Sequence, residues 1–231
     1  MITVAETGST NADLLELAAG GAEDGLWLRA ERQLAGRGRQ GRPWASPEGN
    51  LYASTLVRLR PGDPSAASLA LVAAVALEEV VARLVPRGTM LKWPNDLLVS
   101  GAKLSGILLE RVGDNVVIGI GVNVAHHPDL ADRRATSIAE QGAAITPAAL
   151  LDRLAEMLAA WIGIWRGQGL SPIVARWIER AHPVGTPLTA RLADGTALDG
   201  NFETMAQDGA LVLRLADGST RVIHAGDVFL V

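Results

Sequence analysis

Gln33-Leu34-Ala35-Gly36-Arg37-Gly38-Arg39-Gln40-Gly41-Arg42-Pro43-Trp44 sets three arginines among three glycines and ends on an indole. Such a stretch is suited to wrapping an anion. Glycines reach φ > 0 and bring backbone N–H groups near a ligand, where a Cβ would obstruct. Arginines add permanent charge and forked donors that match phosphate or carboxylate oxygens. Trp44 offers a flat face on which a purine can stack. Taken alone, the stretch reads equally well as a solvated Arg/Gly loop or a weak RNA-binding segment.

Composition narrows the choice. The chain has 231 residues, 48% hydrophobic and 20% charged, which describes an ordinary globular protein able to bury a full core. Its net charge of -4 argues against general nucleic-acid affinity, so the arginine cluster is a local feature. Cysteine is absent, which excludes disulfides, thiolate metal sites and a thioester intermediate. No basic leader with an apolar run opens the chain and no window is long enough to span a membrane, so the expected compartment is the cytoplasm. Of 21 basic residues only Lys92 and Lys103 are lysines. A compact ammonium on a flexible stem is kept at those two places alone.

Working outward, Ser9-Thr10-Asn11 precede an apolar-periodic run and read as the cap of a first helix ending at Gly20-Gly21. Residues 26–31 alternate as a strand into the loop, and residues 51–59 form the strand leaving it. Asp63-Pro64 reads as the start of a long, largely buried helix to about Leu84. Residues 91–99 contain Pro94, which predicts an irregular turn between two strand pieces. Such a turn can aim Lys92, Asn95 and Asp96 at one ligand. Ser100-Gly101 and Gly113-Asp114-Asn115 read as hairpin turns, with a buried strand at 116–124. Two helices follow at 147–167 and 171–181, whose Trp161, Trp165 and Trp177 are packing residues. From Pro183 onward, Asp194-Gly195, Asp208-Gly209 and Asp217-Gly218 punctuate short alternating strands, the pattern of a small all-β unit.

Some motifs are excluded. Gly119-Ile120-Gly121 lacks the third glycine of a dinucleotide fingerprint and sits in a strand, so its glycines are expected to let a ligand lie against that strand. Neither lysine follows a phosphate-loop glycine pattern. His126-His127 at a strand exit point in different directions, which predicts a solvated loop rather than a metal site.

Four segments in order, Gly36 to Trp44, Lys92-Trp93-Pro94-Asn95-Asp96, Lys103-Leu104-Ser105-Gly106-Ile107-Leu108 and Gly119-Ile120-Gly121-Val122-Asn123-Val124, resemble those of the biotin protein ligases. Gly8 stands where the family usually carries an acidic residue. The resemblance implies an α+β fold: a mixed sheet with packed helices, related to class II aminoacyl-tRNA synthetases, over 1–182, then an SH3-like β-barrel over 183–231. It implies that ATP and biotin combine into biotinyl-AMP with release of pyrophosphate. Biotin then passes to a lysine of a biotin carboxyl carrier domain, expected to belong to acetyl-CoA carboxylase.

By position, the resemblance places biotin among Ser9, Thr10, Asn11, Gln33, Gly36, Gly106 and Gly119, with Arg37 closing over it. Lys103 falls between the biotin carboxylate and the phosphate, and Arg39 on the adenylate phosphate. Arg42 and Lys92 face the departing pyrophosphate, while Trp44, Asn95 and Asn123 hold the adenine side. Asp96 is the expected ligand of Mg2+ and the nearest carboxylate for the acceptor lysine's proton. The charges answer a need, since carboxylate and α-phosphate repel until cations neutralise both.

Two other classes compete: a lipoate or octanoate ligase or transferase of related fold, and a non-catalytic biotin- or nucleotide-binding regulator. Ser9-Thr10-Asn11 comes so early that no helix-turn-helix is expected before it, and hence no DNA binding. A monomer or weak homodimer, free of membrane, is the expected state.

Overall fold

A computed structural model describes residues 1–85, 88–130, 133–192 and 194–230. Two sheets organise them. Strands β1 (Ile2–Thr7), β2 (Trp27–Gln33), β3 (Leu51–Arg58), β4 (Thr89–Lys92), β5 (Asp96–Val99), β6 (Ala102–Val112) and β7 (Asn115–Val122) form a seven-stranded sheet in the order β1-β2-β3-β7-β6-β5-β4. It is mixed, because β1 runs parallel to β2 while the other neighbours are antiparallel. Turn chemistry sets the hairpins. Ser100 and Gly101 both take positive φ between β5 and β6, and Gly113 does so between β6 and β7. Trp93-Pro94-Asn95 closes β4 on β5, placing Lys92 opposite Asp96, and the Trp93–Pro94 bond is cis.

Helix α1 (Thr10–Ala19) packs on one face, where Leu14 and Ala18 meet Leu28, Leu56 and Val117. Helix α2 (Leu69–Leu84) packs on the other, backed by α3 (Pro147–Gln168) and α4 (Ser171–Glu179). Strand β3, lying between these layers, is therefore buried from Leu51 through Val57. Trp165 and Trp177 are core residues, and the Trp165 Nε1–H donates to Ser68 Oγ at 2.8 Å. Each fully buried Leu or Val on α2, such as Leu77 or Val81, contributes about 1.5–3 kcal/mol.

Two expectations need correction. Helix α2 begins at Leu69 rather than at Asp63-Pro64, after a 3₁₀ turn at Ala66–Ser68. Asp63 instead accepts from the Arg60 N–H at 2.9 Å and lies 3.4 Å from Arg166 Nε, so it closes a turn and pins α3. Strand β1 was not anticipated, because this short edge strand carries no clear apolar alternation.

The second sheet contains β8 (Pro187–Arg191), β9 (Ala197–Met205), β10 (Leu211–Arg214), β11 (Thr220–Ile223) and β12 (Asp227–Leu230), ordered β11-β10-β9-β8-β12. All its pairings are antiparallel. The three Asp-Gly turns join its hairpins. In each, the glycine has positive φ and the aspartate accepts from the N–H two residues on. Phe202, Met205, Leu211 and Leu213 continue the core of the larger sheet. The Trp93 Nε1–H donates to the Gly209 carbonyl at 3.1 Å, fixing the small sheet to the β4–β5 turn. His182, buried edge-on to Phe202, is held neutral, with its pKa pushed down to about 4 by burial and by nearby Lys92. Replacing Trp93 by Phe leaves the buried Gly209 carbonyl without its donor. The expected cost is about 1–3 kcal/mol, read as a lower Tm.

Candidate active site

The N-terminus of α1, the end of β2, the loop at 34–46, the middles of β6 and β7, and β12 enclose a cavity of about 560 Å³. Ser9, Thr10, Asn11, Gln33, Gly36, Arg37, Arg39, Arg42, Trp44, Lys92, Asn95, Asp96, Lys103, Gly106, Gly119 and Asn123 all line it. Residues scattered from 9 to 123 thus share one space.

Its uncharged end is a hydrogen-bonded network. Gln33 Oε1 accepts from the Thr10 N–H at 2.9 Å and from its hydroxyl at 3.1 Å. The Gln33 amide donates to Ser46 Oγ at 3.2 Å, and Ser46 donates to the Trp44 carbonyl at 3.0 Å. Ser54, fully buried, donates to Asn11 Oδ1 at 2.6 Å, and its oxygen lies 2.7 Å from Thr10 Oγ1. Asn11 in turn donates to Glu110 at 2.8 Å. Ser9 is the N-cap residue of α1, yet its side chain makes no capping bond. The residue is largely buried and lines the cavity wall.

The glycines of β6 and β7 line the cavity, as expected of a strand against which a ligand lies, and they also make room for protein side chains. A Cβ at Gly119 would stand 2.8 Å from Asn11 Cγ and nearer still to Oδ1. One at Gly121 would stand 2.7 to 2.9 Å from the Trp44 indole, and one at Gly106 would stand 3.2 Å from it. The indole therefore lies on a glycine floor, with the Lys103 ammonium 5.5 Å from its centroid. That face of Trp44 is covered.

The arginine loop closes on itself. The Gly38 N–H donates to the Arg42 carbonyl at 2.8 Å, the Trp44 N–H to the Gly36 carbonyl at 2.9 Å, and Arg37 bridges to Pro43. Only Gly41 of its three glycines takes positive φ, joined by Gln40 at φ 57. Gly38 is extended, and Gly36 is required by close packing, since a Cβ there would meet Ser46 Oγ at 2.6 Å.

Charge gathers at the other end. Lys103 Nζ donates to Asp96 Oδ1 at 2.6 Å, and Lys92 Nζ lies 3.6 Å from Oδ2. Burial holds the Lys92 pKa below its ordinary value, with Asp96 opposing the shift. Asn95 and Asn123 turn their amide groups to the backbone, Asn95 donating to the Ile107 carbonyl at 2.5 Å and Asn123 to the Thr136 carbonyl at 3.0 Å. Lys103 is held by its own main chain. Its N–H donates to the Arg134 carbonyl at 2.9 Å, and its carbonyl accepts from the Thr136 N–H at 3.0 Å.

Asp96 does not fit the role of resident magnesium ligand. Its carboxylate already serves two ammonium groups, and no cluster of three acidic or histidine residues able to hold a metal occurs among the described residues. His127 pairs with Glu140 at 3.4 Å. Asp227, Phe229 and Arg133 also line the cavity and were not foreseen. Asp227 pairs with both Arg39 and Arg42, across 185 residues in the latter case. Nothing in the segment Gly226-Asp227-Val228 signals this locally.

Residues 5–123 match the model of the Biotin/lipoate A/B protein ligase family, and residues 185–231 match that of the Biotin protein ligase C terminal domain. The chain belongs to the biotin protein ligases. This ligase is 40% identical to the biotin–[acetyl-CoA-carboxylase] ligase of Paracoccus denitrificans over 98% of each chain. It is also 40% identical to the ligase of that name from Mycobacterium tuberculosis, covering 97% of this chain and 86% of the other. Among solved structures, it is similar to the biotin protein ligase of Aquifex aeolicus in complex with biotin and ATP. The TM-score is 0.89 at 25% identity, covering 100% of this chain and 98% of that one. The α+β architecture with a terminal SH3-like sheet is the ligase fold, and no helix among the described residues is long and apolar enough to cross a membrane.

Proposed function

We propose that this ligase activates biotin with ATP and transfers it to a lysine of the carrier domain of acetyl-CoA carboxylase. The observation that carries the reading is Lys103, whose ammonium shares Asp96 with Lys92 and lines the same cavity as Thr10, Gln33, Arg39 and Arg42. A biotin oxygen attacks the α-phosphorus as the bond to pyrophosphate breaks. Lys103 and Arg39 neutralise the reacting anions, while Arg42 and Lys92 take the charge that leaves. The acceptor amine then attacks the acyl carbon and AMP departs. Between the steps, the arginine loop keeps water from the mixed anhydride. Magnesium enters with ATP as part of the substrate, since the described residues offer it no ligand set of their own.

The test is exchange of labelled pyrophosphate into ATP with biotin, lipoate, octanoate or no acid. Dependence on biotin alone is expected. Exchange with lipoate or octanoate would move the chain to the sister activity. Arg39→Gly removes the guanidinium assigned to the adenylate phosphate. This variant is expected to release most of its biotinyl-AMP into solution, and retention as in the parent protein on filter binding would remove the assignment.

A further inference from the structure

The small sheet reaches into the cation cluster with a carboxylate. Asp227, at the start of β12, faces Arg39 and Arg42 together. Its Oδ1 lies 3.2 Å from Arg39 Nη1, and Oδ2 contacts Arg42 Nη2. The neighbouring Gly226 carbonyl accepts from Arg39 Nη2 at 3.1 Å. Asp227 is largely buried, its side chain 16% exposed, against 29% and 40% for the two arginines. A carboxylate on two guanidiniums has the charge and fork geometry of one edge of a phosphate. A polyphosphate engaging the same N–H groups brings like charge against it, and like charges in a partly buried site oppose one another strongly.

We infer that Asp227 is a built-in competitor for the anion site: it occupies Arg39 and Arg42 between turnovers, yields to the nucleotide phosphates, and re-pairs as pyrophosphate departs. This inference rests on the assignment of those arginines to phosphates. Asp227 is then a positioning residue in the empty enzyme and an eviction device for product. Its influence falls on phosphate affinity, not on the bond-making step.

The test uses inorganic pyrophosphate as the probe, titrated calorimetrically into the full-length enzyme and into Asp227→Asn, Asp227→Ala and Asp227→Glu. Removal of the competing charge should tighten pyrophosphate binding roughly five- to twentyfold in the Asn and Ala variants, the size expected of a partly screened like-charge contact. Asp227→Glu should bind like the parent. The gain should shrink between low and high salt, and KM for ATP should fall with kcat held or slowed by product release. A merely structural role would not produce a salt-dependent gain. Unchanged or weaker binding in both neutral variants overturns the inference while leaving the anion site intact. No pyrophosphate binding by any form, the parent included, overturns both the inference and the assignment beneath it.

Discussion

Lys103→Ala is expected to lose biotin-dependent pyrophosphate exchange by about 10²–10³-fold or more, the range for removing one preorganised charge from a developing anion. Two anions meet in the first half-reaction, and Lys103 is the cation that the proposed function assigns between them. Its backbone is clamped by Arg134 and Thr136, so the ammonium is aimed before substrate arrives. Part of the loss will be structural, because buried Asp96 loses the nearer of its two ammonium groups when Lys103 is gone. Lys103→Arg separates the terms: it keeps the charge on Asp96 but spreads it over a fork, so stability should recover before rate does. Near-normal exchange in a folded Lys103→Ala enzyme would remove Lys103 from the chemistry.

Gly119→Ala is the second large effect expected, and it acts through shape. The added methyl collides with Asn11, whose side chain is held by Ser54 on one side and Glu110 on the other, so that retreat breaks a hydrogen bond. Overpacking of this kind costs about 1–3 kcal/mol. For a chain of this size that lowers Tm by several degrees. Relief comes only by moving Asn11, which disturbs Thr10 and Gln33 through the Ser54 hydroxyl. KM for biotin should therefore rise at least about tenfold, the equivalent of one hydrogen bond of 1.4 kcal/mol, while KM for ATP stays within about twofold. Unaltered biotin KM would show that the Thr10–Gln33 network is not the acid's binding wall.

The parts of the site that were legible in the sequence are those whose chemistry is local. Glycine alternating with arginine, and lysine kept at two positions in an arginine-rich chain, announce an anion without reference to anything distant. The three Asp-Gly turns announce their hairpins for the same reason, since each is solved within four residues. What failed was assignment across space. A glycine in a strand says that something must come close, but not what; Gly119 and Gly121 line the cavity and also make room for Asn11 and Trp44. Asp63-Pro64 has the form of a helix start, yet long-range pairing with Arg166 turns it to another purpose. Asp227 carries no local mark, because its meaning comes from packing one sheet against another.

That packing also bears on how such an enzyme can be divided. The Gly209 carbonyl holds the indole of Trp93, between the two strands that carry Lys92 and Asp96. At the other end of the same sheet, Gly226 and Asp227 hold the arginine loop. A chain cut before the final five strands would keep Lys92, Lys103 and the loop arginines but lose the wall of the cavity that Asp227, Val228 and Phe229 supply. The small sheet is thus not an accessory that evolution or an engineer can exchange freely; any replacement must reproduce both points of attachment.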